Sequence, residues 1–217
     1  MGLNKNANLD DRVDEIRYNL IKRQYKDVIE LCKNLFKDLK SNDKMFYFYF
    51  CMYDVSLAYI CLHNFEMAFV FAKKAMDYTI ENDERIKTKW LIANCYVNKH
   101  MFNEAEKLYK KCLKYYKEAD IPRSRIEVLF TLAEMKGNVN AMSRCILIML
   151  ADPNYTYIGE IQGDLNADDL VLGEAEDMAN YCKLHNKQNY LFRLLNKITN
   201  KSLKKQITQL FTDMKCM

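Results

Sequence analysis

Apolar side chains recur along most of this chain at helical spacing, interrupted by short polar turns. Val13, Ile16 and Leu20 fall on one stripe, and Tyr25, Val28, Cys32 and Leu35 fall on the next. Such spacing predicts two successive amphipathic helices. The stretch Trp90 to Leu113 repeats the arrangement more sharply, with Ala93, Tyr96, Phe102, Ala105, Tyr109 and Cys112 as a ladder of small and aromatic residues. Small residues belong where two paired helices must touch, so this stretch reads as helix, tight turn, helix. The close-contact position of each second helix recurs at Val28, Ala68, Ala105, Ala141 and Leu191. A recurrence of this kind is the mark of a repeat architecture. Helix pairs are expected at about 10–39, 44–80, 87–117, 122–150 and 168–198, followed by a last amphipathic helix at 201–214 carrying Leu203, Ile207, Leu210, Phe211 and Met214.

Composition supports helices. The 217 residues include only five Gly and two Pro, too few for the many turns of a hairpin-rich β fold. No Pro-, Ser- or Gly-rich linker divides the chain, so one continuous array over residues 1–217 is expected. Pro122 suits the first turn of a helix, and Lys136-Gly137-Asn138 suits a turn. The regular pattern lapses after Leu150, where Pro153, Gly159 and Gly163 occur. Residues 151–168 read either as a plain connection or as a loop over the groove.

The ladder at Ala93, Tyr96, Phe102, Ala105 and Tyr109 resembles a tetratricopeptide repeat (TPR), departing from it at Cys112 and Lys117, where alanine and proline are usual. Ser56, Tyr59, Phe65, Ala68 and Ala75 match the same pattern one unit earlier. The resemblance implies an all-α, right-handed superhelix of antiparallel helix pairs with a C-terminal capping helix. It also implies that the first helix of each pair lines a concave, partner-binding face. Carried over position by position, the lining includes Tyr53 and Asp54; Lys87, Trp90, Asn94 and Asn98; Arg123, Glu127, Phe130 and Glu134; and Asn180. Aromatic anchors bury much area at low entropic cost, and Asn can pair with both the N–H and the C=O of an extended peptide. Asn94 stands where the carboxylate-clamp TPRs of chaperone adaptors carry asparagine, but their companion lysine is replaced by Trp90, which argues against a chaperone C-terminus as ligand.

Residues 45–148 further resemble the TPR portion of the peptide-sensing Rap, PlcR and arbitrium-receptor regulators of low-GC Gram-positive bacteria and their phages. With repeats starting near Asp10, no room is expected for the output domain of that group. The resemblance implies a non-enzymatic regulator that takes a peptide or protein segment. The alternative is a scaffold or inhibitor acting through its convex face or its last helix, as a homodimer in one form.

Charge and candidate chemistry narrow the picture. The net charge of +4 does not by itself argue for nucleic acid. Its distribution is uneven: Asp152, Glu160, Asp164, Asp168, Asp169, Glu174, Glu176 and Asp177 form an acidic strip with no Lys or Arg between Arg144 and Lys183, whereas eight basic residues face only Asp213 from Lys183 onward. Few aromatics interleave that basic tail, which disfavours nucleic acid. The eight cysteines form no C-x-x-C pair and no metal-ligand spacing, and no signal peptide precedes them, so a reducing cytoplasm is expected. No P-loop, G-x-G-x-x-G, G-x-S-x-G or H-E-x-x-H is present, and no cofactor or metal is expected. His63 and His100 each precede a turn aromatic by two residues and read as turn residues. Residues 45–62 carry only Asp54 as a charge, but their tyrosines and their fit to the repeat favour a buried helix over a membrane span.

Overall fold

A computed structural model describes residues 8–39, 45–151 and 167–216, without the side chains of Arg123 and of 167–171. Among the described residues there are eleven helices and no strand: α1 (Leu9–Ile21), α2 (Tyr25–Asp38), α3 (Met45–Cys61), α4 (Phe65–Asp77), α5 (Asn82–Asn98), α6 (Phe102–Glu118), α7 (Pro122–Met135), α8 (Val139–Ala151), α9 (Ala167–Leu184), α10 (Asn189–Lys197) and α11 (Lys201–Asp213). None is long and apolar enough to cross a membrane. The question of a lid at 151–168 falls almost wholly on residues outside the described set.

The helix ends have local causes. Asn8, Asn64, Asn138 and Asn200 each offer Oδ1 to a backbone N–H three residues on, starting α1, α4, α8 and α11. Glu81 and Glu84 form a capping box at α5, and Pro122 opens α7. Tight turns between helices share one geometry. Arg23, His63, His100, Asp120, Gly137 and Asn186 all take positive φ, and so does Lys215 after α11. At His63 the loop is closed by Asn64 N–H to Tyr59 O at 2.9 Å and His63 N–H to Ile60 O at 2.9 Å; His100 repeats both bonds through Met101 and Tyr96, and through Val97. This is the Schellman closure, usually built on glycine. Here glycine occupies only Gly137 among these turns.

The chain divides into two compact units within α6, between Tyr115 and Tyr116. In unit 1, α1 packs on α2 and α3, α2 on α3, and α4 on α3 and α5. Ser56, Ala68, Ala93 and Ala105 are fully buried. The Ser56 hydroxyl donates to the Ala68 carbonyl at 2.7 Å, so at this crossing the small side chain also satisfies a backbone group. In unit 2, α8 packs on α7, α9 and α10, while α11 packs on α9 and α10. The apolar residues Leu203, Ile207 and Phe211 of α11 are taken up by this core, with Ala179, Cys182 and Leu194. Lys183 donates to the Met214 carbonyl at 2.7 Å and so caps the C-terminus of α11.

Candidate functional site

Within unit 1, α5 carries four of the candidate residues at intervals that keep them on neighbouring turns. Lys87 is half-buried and pairs with Asp83 at 2.9 Å one turn earlier. Trp90 is half-buried, its ring packed against the unit 1 core. Asn94 is half-buried, and its Oδ1 accepts a hydrogen bond from the Tyr109 hydroxyl of α6. Asn98 is exposed, and its Nδ2 donates to the Asn94 carbonyl at 2.9 Å.

Asn98 also opens onto a groove of about 640 Å³ lined by His63, Asn64, Phe65, Glu66, Asn98 and Lys99. The α3–α4 turn supplies one wall and the end of α5 the other. The positive φ of His63 turns the chain so that its ring meets Phe65 edge-to-face, 6.0 Å between centroids. Lys99 bridges the walls: its Nζ lies 2.9 Å from Glu66 and 4.9 Å from the centre of the Phe69 ring. The turn residues of this groove are not among the concave-face positions, so the position rule alone missed them. Their signal in the sequence was the repeated His-x-Phe at 63–65 and 100–102.

Tyr53 and Asp54 are placed differently. They are 8% and 5% exposed and belong to the unit 1 interior, so they add almost no surface. The cause is α3 itself, apolar nearly all round and covered by α1, α2, α4 and α5.

In unit 2, Phe130 is 2% exposed and sits in the core with Ile126, Ala133 and Met142; it is a packing residue, not a surface anchor. Glu127 and Glu134 are half-buried, Asn180 is exposed, and the Arg123 side chain lies outside the described set. Glu174, from the acidic strip, joins the two glutamates electrostatically. Burial first, then the charges of Asp177, Glu127 and Glu134, push its carboxyl up to about 8. Glu134 is raised in the same way, by burial and then by Asp177.

Among the described residues no group of His, Cys, Asp and Glu side chains is arranged to hold a metal ion. All eight cysteines are free and only Cys61 is exposed. Burial pushes Cys95, Cys145 and Cys182 up to about 11 and Cys112 to about 12. Thiols so far from ionising act as small apolar groups.

No protein-family model matches the chain, and no curated protein matches it either. Solved structures do. The putative kinesin light chain TPR-like repeats of Podospora anserina match in a singly substituted form with a TM-score of 0.57 at 14% identity, over 93% of this chain and 96% of that one. A second structure of the same repeats matches with a TM-score of 0.55 at 14% identity, over 92% and 94%. The fold is TPR-like. That accounts for the small residues Ser56, Ala68, Ala93 and Ala105 at the helix crossings, and for the recurring turn at His63 and His100. At 14% identity, the TPR-like likeness extends to the fold alone.

Proposed function

We propose that this TPR-like chain is a protein-interaction module that docks an extended polypeptide on unit 1, along α5 and into the groove beside the α3–α4 turn. The observation that carries the reading is the position of Asn98, which belongs both to the α5 row and to the groove wall. Asn98 commits Nδ2 to its own helix, which leaves Oδ1 as an acceptor. Across the groove, Asn64 commits Oδ1 to the Met67 N–H, which leaves Nδ2 as a donor. An acceptor and a donor on opposite walls match the alternating N–H and C=O of an extended backbone. Trp90, about two helical turns before Asn98, offers a half-exposed indole as an apolar anchor.

In this reading the chain acts as a regulator without chemistry of its own, in the cytoplasm, in keeping with its eight free cysteines and with the sequence resemblance to peptide-sensing TPR regulators. Panning a random-peptide display library on the protein, then titrating the enriched peptides against wild type and Asn98→Ala, tests it. A loss of several-fold or more is expected in the variant; equal affinity contradicts the assignment.

A further inference from the structure

We infer that unit 2 carries a second docking surface, the exposed side of α10 and the first turns of α11, which takes an acidic polypeptide segment bearing an apolar residue. Four lysines fall on these neighbouring elements: Lys197 ends α10, and Lys201, Lys204 and Lys205 occupy the start of α11. None has a carboxylate partner among the described residues. From Lys183 onward the sequence has one acid, Asp213, which lies in the last turn of α11 and accepts from Gln209.

The arrangement opposes what an isolated helix favours. Like charges three and four residues apart repel, and the first turn of a helix, with its unpaired N–H groups, prefers acids. α11 has no acid in its first turn and places Lys201, Lys204 and Lys205 in its first two turns. External negative charge relieves both costs.

The apolar requirement comes from α10. Its solvent side runs Phe192, Arg193, Asn196, Lys197; Phe192 is 50% exposed, and the Arg193 guanidinium lies 5.3 Å from the centre of the Tyr190 ring. An aromatic ring left half in water on a helix side that also carries Arg193 and Lys197 suits a segment that supplies a carboxylate and an aliphatic or aromatic side chain together. The phosphate ribbon of a duplex supplies charge but no apolar cover. None of its residues lines the α5 groove of unit 1.

The test uses the full chain and a fluorescein-labelled peptide of Asp and Glu around a central Leu-Phe pair. The same peptide with Ser in place of that pair and a mixed-sequence DNA duplex serve as competitors. The combined change Lys201→Glu, Lys204→Glu and Lys205→Glu is expected to weaken binding by roughly tenfold or more, since each exposed ion pair is modest but three are reversed. Phe192→Ser is expected to weaken it several-fold, and Asn98→Ala to leave it unchanged. The corresponding Lys→Gln set, with circular dichroism and melting as controls, separates lost charge from lost fold. Binding that ignores the lysine changes overturns the proposal. So does tighter binding to the duplex with Phe192→Ser silent, which indicates nucleic acid. Low-salt self-association in light scattering, abolished by the lysine changes, indicates a second copy and likewise overturns it.

Discussion

The Tyr109 hydroxyl of α6 donates to the side-chain oxygen of Asn94 on α5. One residue of the repeat ladder thereby holds one residue of the candidate binding row. Tyr109 is fully buried, so the bond ties the two helices of the pair together.

Tyr109→Phe is expected to lower stability by about 1 kcal/mol, the usual cost of one such bond with its acceptor left half-buried. Asn94→Ala should cost a similar amount, and the double variant less than the sum. Urea unfolding of the four proteins measures this coupling. Strict additivity would show that the bond contributes nothing.

The groove at Asn98 and the ladder were unequally legible. Ala93, Ala105 and Phe102 announced helix–turn–helix because close helix approach restricts side-chain size at fixed positions. Tyr53 and Phe130 were misplaced by the same logic, since a position rule gives a direction along one helix and says nothing of which neighbours cover it. The Asn94–Tyr109 bond was hidden for a related reason: its partners are fifteen residues apart on different helices. The acidic group at Glu174 was visible only as composition, because folding brings α7 carboxylates to it.

Two glycines of unit 2 should respond to alanine with opposite sign. Gly137 has φ of +62° and a Cβ there would overlap the Tyr181 hydroxyl, so Gly137→Ala is expected to destabilise by about 1–2 kcal/mol from backbone strain alone. Gly173 lies inside α9 with open space where a Cβ would be, so Gly173→Ala is expected to stabilise by about 0.5–1 kcal/mol. Thermal melting of the two variants decides.

Ala68→Leu should be among the most damaging single changes in unit 1. Ala68 is fully buried and its carbonyl receives the Ser56 hydroxyl, so a larger side chain both overfills the crossing and separates the two helices. A cost of about 1–3 kcal/mol or more is expected by urea unfolding. Ala68→Ser should be far milder.

Glu174 makes unit 2 sensitive to pH. Its folded pKa of about 8 lies above the ordinary 4.5, so the folded state holds the proton more tightly than the unfolded one. The stability so contributed is present below the unfolded value and is lost as pH rises toward 8. Glu134, raised in the same direction, adds to the trend. Melting temperatures between pH 5 and 8 should therefore fall with rising pH, and Glu174→Gln should flatten the slope; an unchanged slope would remove Glu174 as its source.

The most direct test of the binding assignment is a backbone amide chemical-shift map of unit 1 residues in the full chain as a panned peptide is added. The groove reading predicts the largest changes at His63, Asn64, Phe65 and Glu66 and at Asn98 and Lys99, with Trp90 following. A bound peptide that leaves those amides unmoved, and shifts others instead, would contradict it.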